Sequence, residues 1–209
     1  MTSQQLIASR LLQIEAVKLN PTHPYTWASG WKSPIYCDNR KVLSFPTDRD
    51  LIKSEMCSVV FQEFPDADLV AGVATAGIAW GAMLADQLKL PMAYVRPKPK
   101  EHGLGNQIEG RVEPGQKVVV VEDLVSTGSS SLKACEAISA QGAEIIGMVC
   151  IFNYGFSVAA DAFENAGIRL ISLTDYATLT ELALSNELIQ PEQGDLLRQW
   201  RSSPETWGR

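Results

Sequence analysis

The stretch KVVVVEDLVSTGSSSL, from Lys117 to Leu132, restricts the possible folds more than any other part of the chain. It begins with four consecutive valines, Val118 to Val121, β-branched and without polar alternation. A run of this kind reads as a strand covered on both faces, the environment of a parallel sheet flanked by helices. Two adjacent carboxylates, Glu122 and Asp123, stand where that strand is expected to end. Leu124 and Val125 follow, then a turn of small residues: Ser126, Thr127, Gly128, Ser129, Ser130 and Ser131. Leu132, Ala134, Cys135, Ala137 and Ile138 recur at helical spacing, so the hydroxyl cluster falls at a helix N-terminus.

Such a junction suits an anion. The first helical turn leaves backbone N–H groups without partners, and the partial positive charge of the helix end adds to them, so a phosphate is held with little further help. Gly128 permits a backbone geometry closed to other residues, and the hydroxyls supply further donors. Glu122 and Asp123 would repel that phosphate. They are suited instead to accept hydrogen bonds from sugar hydroxyls or to help hold a divalent metal. A phosphate and a polyol in one site make a sugar phosphate. Ser, Thr and Gly after a strand are also ordinary N-cap chemistry, and it is the paired acids that favour a binding site over a generic turn.

A chain of 209 residues with 45% apolar content is long enough for one sizeable α/β core and short for two, so a single domain over 1–209 is expected. The net charge of -6 disfavours a nucleic-acid partner. Cys37, Cys57, Cys135 and Cys150 are widely spaced and include no CxxC pair. That supports neither a zinc site nor a thioredoxin-like motif, and reduced, buried thiols are expected. The N-terminal MTSQQLIASRLLQIEAV has a helical apolar spacing, unlike the basic start and apolar run of a signal peptide. No stretch approaches the roughly 18 apolar residues of a membrane helix. The expected setting is the cytoplasm, with no membrane partner.

In chain order, Pro21 to Arg40, PTHPYTWASGWKSPIYCDNR, is loop-like and rich in proline and aromatic residues. Thr47 to Asp50 gives T-x-x-D, a capping-box pattern opening a helix to about Phe64. Leu69 to Val73 reads as a short strand, followed by Ala74, Thr75, Ala76 and Gly77 and a helix from about Ile78 to Leu88. This repeats the logic of the first turn, and two such turns suit two anionic groups. A strand over Met92 to Val95 leads into Arg96 to Gly115, about twenty residues with little apolar pattern, a length typical of an active-site lid. Arg96, Lys98, Lys100 and His102 alternate, so in an extended chain they form a row of positive charge. GLGNQI fails as a dinucleotide fingerprint, because Ile108 stands where glycine is required. Beyond the central unit the pattern predicts a strand over Glu144 to Phe152, a helix to Gly167 and a strand over Arg169 to Leu173. A helix opened by T-x-x-E at Thr178 to Glu181 follows, then an amphipathic helix from Gln190 with Leu196, Leu197 and Trp200 packing back. Alternating strands and helices predict a parallel α/β sheet. Ala74 to Gly77, Arg96 to Lys100 and Glu122 to Ser131 all fall at predicted strand ends, where such sheets bind ligands.

Glu122 to Ser130, two acids, two residues and S-T-G-S-S, resembles the phosphoribosyl pyrophosphate (PRPP) signature of the type I phosphoribosyltransferases. Two further segments resemble the orotate phosphoribosyltransferases within that group. Ser29, Gly30, Ser33, Pro34, Ile35, Tyr36, Asp38 and Arg40 form S-G-x-x-S-P-I-Y-x-D-x-R, similar to the N-terminal hood that closes over the flat base. Arg96, Lys100, His102 and Gly103 form R-x-x-x-K-x-H-G, similar to the catalytic loop. The resemblance runs from Ser29 to about Leu182. It implies a mostly parallel central sheet flanked by helices, with a small hood built from residues 1–45 and part of the C-terminal region. It also implies transfer of ribose 5-phosphate from PRPP to orotate, with Mg2+ held mainly through PRPP and pyrophosphate. A homodimer in which each lid closes over the neighbouring subunit's site is implied as well.

By the same resemblance, Lys100, Asp123 and Glu122 are catalytic. PRPP is bound by Arg96, Lys100, His102 and the run Glu122, Asp123, Leu124, Val125, Ser126, Thr127, Gly128, Ser129 and Ser130. Ala74, Thr75, Ala76 and Gly77 hold the pyrophosphate, and Ser126, Arg40 and Tyr36 meet orotate. The chain departs from the family pattern twice. Pro97 stands where many members carry lysine, with Lys98 next to it. Asn153, Tyr154 and Gly155 stand where some members place an arginine for the orotate carboxylate, which makes Arg40 the candidate replacement. Two alternatives share the PRPP turn: a purine or uracil phosphoribosyltransferase, which would lack this hood and lid, and a PRPP-sensing regulator, which needs no catalytic lid.

Overall fold

The computed structural model describes residues 1–27, 29–98 and 107–208. The N-terminal part comprises α1 (Ser3–Gln13), β1 (Val17–Leu19), β2 (Tyr25–Thr26), β3 (Lys32–Ser33), β4 (Ile35–Cys37) and a 3₁₀ turn (Asn39–Ser44). Next come α2 (Pro46–Glu63), β5 (Leu69–Val73), α3 (Gly77–Leu88), β6 (Met92–Val95), β7 (Ile108–Glu109), β8 (Lys117–Val125) and α4 (Ser129–Ser139). The chain finishes with β9 (Glu144–Asn153), α5 (Ser157–Asn165), β10 (Leu170–Asp175), α6 (Tyr176–Ser185) and α7 (Pro191–Ser202).

The valine run lies at the centre of a six-stranded sheet of order β10-β9-β8-β5-β6-β7. All its pairings are parallel except that of the edge strand β7, which runs antiparallel to β6. Val118 to Val121 are each fully buried, as the absence of polar alternation requires, and alternate between the two faces. Val119 and Val121 join one core with Trp80 of α3, Ile52 and Met56 of α2 and Ile7 and Leu11 of α1. Val118 and Val120 join a second core with Cys135 and Ile138 of α4 and Phe163 of α5. Burial of this completeness contributes on the order of 1.5 kcal/mol or more per valine.

Several local expectations are corrected. β8 does not end at the acid pair: Glu122 stays opposite Cys150, Leu124 opposite Phe152 and Val125 opposite Asn153, so the ladder carries both carboxylates within the strand. The hydroxyl cluster does fall at a helix N-terminus, as expected: α4 begins at Ser129, with Gly128 as its N-cap at φ 78°. Thr47 caps nothing. Pro46 opens α2, and its fixed φ and missing N–H suit a first helical position. Helix α6 is capped by Asp175, whose side chain accepts from the Thr178 N–H at 2.8 Å, and not by Thr178. Arg96 to Gly115 is not free of structure, because Ile108 and Glu109 pair with Val95 and Tyr94. All four cysteines are free. Cys135 and Cys150 are buried, whereas Cys37 and Cys57 are half-buried.

The proline- and aromatic-rich segment also holds strands. Val17–Leu19 pairs antiparallel with Ile35–Cys37, and Tyr25–Thr26 with Lys32–Ser33, forming two small ribbons beside the main sheet. Buried Leu197 and Trp200 of α7 pack back on the main core, with Leu196 half-buried.

Candidate active site

Parallel pairing places the ends of β6, β5 and β8 side by side, so the three segments that leave those ends meet along one edge. Within β8, three residues before its end, Glu122 is buried, and its Oε1 accepts the Asp123 backbone N–H at 3.0 Å. Burial, followed by the charge of Asp123, pushes the Glu122 carboxyl up from 4.5 to about 9. Burial also raises Asp123. Two desolvated acids in sequence resist joint ionisation, and a cation or a set of hydroxyl donors would relieve both. The Asp123 carbonyl accepts a 2.7 Å hydrogen bond from Nδ2 of Asn39, a fully buried residue of the 3₁₀ turn. The Asn39 Oδ1 in turn accepts from the Cys37 thiol at 3.4 Å. The N-terminal ribbons are thus tied directly to the strand that carries the acids. Past Asp123, Ser126 and Thr127 are half-buried, Ser129 and Ser130 exposed, and Ser131 buried beneath the turn.

The second turn is pressed against strands β5 and β8 by backbone alone. A Cβ on Gly72 would meet the Gly77 carbonyl oxygen at 2.6 Å, one on Gly77 the Val121 carbonyl oxygen at 2.5 Å, and one on Gly81 the Gly72 Cα at 3.2 Å. With no side chains between them, the N-terminus of α3 sits directly on β5 and β8, and Gly77 lies beside Val121, the residue that precedes Glu122. The Ala74 N–H donates to the Val95 carbonyl at 2.9 Å, and the Ala74–Thr75 peptide bond is cis.

At the end of β6, the Arg96 N–H donates to the Gln107 carbonyl at 2.8 Å, and the Gln107 amide donates back to the Arg96 carbonyl at 3.0 Å. The Arg96 guanidinium lies 3.7 Å from the Glu109 carboxylate. Lys98 is exposed. Lys100, His102 and Gly103, expected in the lid, lie outside the described residues.

A cavity of about 520 Å³ opens between the ribbons and the PRPP-like turn, within the range of small-molecule sites. Thr26, Trp27, Trp31 and Tyr36 line its ribbon side, Leu124, Ser126 and Thr127 its turn side, and Tyr154, just past β9, closes it. Of the three residues expected at the base, Ser126 and Tyr36 line this cavity and Arg40 does not. Its Nε is held 2.6 Å from the Asp38 carboxylate and its side chain is 63% exposed. Trp27, Trp31 and Tyr154 also line it, although no motif in the sequence assigns them to the base. The position of Tyr154 immediately after a strand of a parallel sheet was the available signal.

Among the described residues, no group of three or more histidine, cysteine or acidic side chains is placed to hold a metal ion. No described helix is long and apolar enough to cross a membrane.

A model of the phosphoribosyl transferase domain matches residues 56–167. Orotate phosphoribosyltransferase of Porphyromonas gingivalis is 55% identical over 207 residues, spanning 99% of each chain. The chain belongs to the orotate phosphoribosyltransferase family. An orotate phosphoribosyltransferase of Bacillus subtilis is 54% identical over 203 residues, covering 97% of this chain and 94% of that protein. Among solved structures, an orotate phosphoribosyltransferase from Aeropyrum pernix aligns with a TM-score of 0.75 at 32% identity, over 84% of this chain and 96% of the other. The central sheet with its flanking helices is therefore the type I phosphoribosyltransferase fold, and the chain is a pentosyltransferase enzyme. Membership in the orotate phosphoribosyltransferase family removes the purine and uracil enzymes and the PRPP-sensing regulator as competing readings.

Proposed function

We infer that this chain transfers the ribose 5-phosphate group of PRPP to orotate, giving orotidine 5'-monophosphate and pyrophosphate on the route to UMP. The observation that carries this reading is the continuity of two subsites. The cavity under the aromatic ribbons is lined largely by aromatic and apolar groups, as suits a planar base, and it runs into Ser126 and Thr127 of a turn built to hold an anion.

Within that reading, the turn from Leu124 to Ser130 holds the 5'-phosphate, and Glu122 and Asp123 accept hydrogen bonds from the ribose hydroxyls. Ala74 to Gly77 cradle the pyrophosphate, and Arg96, Lys100 and His102 neutralise it. The C–O bond to pyrophosphate breaks with its electron pair leaving on oxygen. The orotate nitrogen forms the new bond to the sugar carbon from the opposite face, and its proton is released. Lys100 is positioned in sequence to pass a proton to the departing group. No side chain forms a covalent intermediate, so the residues act by positioning and by stabilising charge.

The adjacent acids Glu122 and Asp123, without a third protein ligand among the described residues, suit a hard cation held mainly by substrate oxygens and water. Mg2+ in that role would supply positive charge against the pyrophosphate. Residues 1–45 with part of the C-terminal region act as a hood over the base. The enzyme works in the cytoplasm as a homodimer whose lids serve the neighbouring sites.

The test incubates the protein with PRPP, Mg2+ and a panel of orotate, uracil, adenine and hypoxanthine, following pyrophosphate release. Orotate alone should support turnover, and Asp123→Asn should lose about tenfold or more while its Tm stays within a few degrees. Turnover of another base in preference to orotate refutes the substrate assignment; a fully active Asp123→Asn enzyme refutes the ribose contact.

A further inference from the structure

The base-side cavity depends on a structure too small to hold itself in place. The β2–β3 hairpin has two residues per strand, with Thr26 opposite Lys32 and the Trp27 N–H donating to the Trp31 carbonyl at 2.9 Å. An isolated hairpin is marginal in water at best, so its position over the cavity must be set from outside. One support is local: the Trp27 indole N–H donates to the Ile35 carbonyl at 3.3 Å. The other comes from far along the chain. Trp200 of α7 is fully buried, and its indole N–H donates to the Lys32 carbonyl at 2.9 Å, across 168 positions of sequence. Its ring also lies 5.6 Å from Trp27, edge to face, and 5.8 Å from Tyr154, two cavity-lining rings that pack directly on each other, tilted by 60°, at 5.1 Å. Trp200 itself does not line the cavity. Helix α7 is held in turn by the Tyr176 hydroxyl, which donates to the Leu197 carbonyl at 3.0 Å, and by contact of the Tyr176 and Trp200 rings at 5.4 Å.

We propose that Trp200 is a positioning residue for the base: through the Lys32 carbonyl and the rings of Trp27 and Tyr154, the C-terminal helix sets the width and register of the orotate cavity without touching orotate. A buried indole finds a hydrogen-bond partner, and this one spends its single donor on the hairpin and not on its own helical layer. The pyrophosphate turn rests on β5, α3 and β8, away from these contacts, and the PRPP turn meets them through main chain, where the Tyr154 N–H donates to the Val125 carbonyl at 3.0 Å, and not through the Tyr154 ring that Trp200 touches. Loosening Trp200 therefore acts on one substrate and spares the other. This rests on the assignment of the cavity to orotate.

Trp200→Phe keeps an aromatic ring and removes the donor. It should raise the KM for orotate about three- to tenfold, as for the loss of one buried hydrogen bond, with kcat and the KM for PRPP within about twofold. Amide hydrogen exchange over 25–33 should speed up, while exchange in β8 and α3 stays unchanged. Tyr176→Phe, which releases α7 from one turn further away, should move the same two readouts in the same direction by less, and it carries the test if Trp200→Phe yields no folded protein. In a double-mutant cycle with Trp27→Phe, the combined effect on orotate KM should fall short of the product of the single effects, because both loosen the same hairpin. An unchanged orotate KM in both variants, or equal rises for orotate and PRPP with exchange accelerated throughout the sheet, overturns the proposal. Turnover of orotate by the unmodified enzyme is measured alongside, so failure of the substrate assignment is distinguishable from failure of the role given to Trp200.

Discussion

Glu122→Gln should make the substrate-free enzyme more stable, by a margin that widens as pH rises. The Glu122 carboxyl is buried on the central strand and raised from 4.5 to about 9. Below about pH 4.5 the folded and unfolded states both bind the proton and the group contributes no pH dependence. Between 4.5 and about 9 the folded state holds one proton that the unfolded state has released, so stability falls with pH. Above 9 the curve is flat again. The slope within that window approaches 1.36 kcal/mol per pH unit. From pH 5.5 to 8.5 the loss is up to about 4 kcal/mol, and at roughly 2–4 °C per kcal/mol for a chain of this size it appears as a change on the order of 8 °C or more in Tm. Glutamine keeps the oxygen that accepts the Asp123 N–H and has nothing to titrate. The assay is thermal unfolding of both proteins at half-unit pH steps, without Mg2+ or PRPP. The difference in Tm, variant minus wild type, cancels groups common to both and should grow steadily across the window. Parallel curves would refute the buried, protonated state of Glu122.

Gly77→Ala should cost about 1–3 kcal/mol, because its Cβ would meet the Val121 carbonyl oxygen at 2.5 Å, and it should depress turnover by displacing the turn from Ala74; a variant with wild-type Tm and turnover would show that the seam tolerates separation. Arg40→Ala should leave the KM for orotate within about twofold, since Arg40 is held by Asp38 outside the cavity, and a selective tenfold rise would restore it as the carboxylate contact. Inactive Lys100→Ala and Asp123→Ala subunits, mixed and exchanged, should recover roughly a quarter of normal activity if each lid serves the neighbouring site, and none if it serves its own.

The sequence reads well where one element carries a long, unmixed signal. The valine run, the small-residue turns and the strand over Met92 to Val95 are local patterns, and each lies where its pattern implies. The errors have local causes too. Glu122 and Asp123 look like a strand's end because carboxylates rarely stay in a sheet, yet ladder pairing to β9 carries them along. Thr47 and Thr178 fit a capping pattern, but Pro46 and Asp175 stand nearer the true helix starts and win. The N-terminal ribbons and strand β7 are two or three residues long and depend on pairing with other segments, so no periodicity announces them. Trp200 is legible as a buried helical residue. Its hydrogen bond to Lys32 is a tertiary fact that no window of sequence contains.

The two halves of the site differ in what they are made of, and that decides where specificity can change. Where Gly72, Gly77 and Gly81 bring α3 onto the sheet, the spacing is set by main-chain atoms on both sides, and no exchange of side chains can widen one contact to compensate for another. On the function proposed above, the half assigned to phosphate therefore behaves as a casting, fixed once the fold is chosen. The half assigned to the base is carpentry, with walls of tryptophan and tyrosine rings that can be replaced one at a time. An effort to make this enzyme accept a different flat ring should leave the glycine seam untouched and spend all its diversity on Trp27, Trp31, Tyr36 and Tyr154.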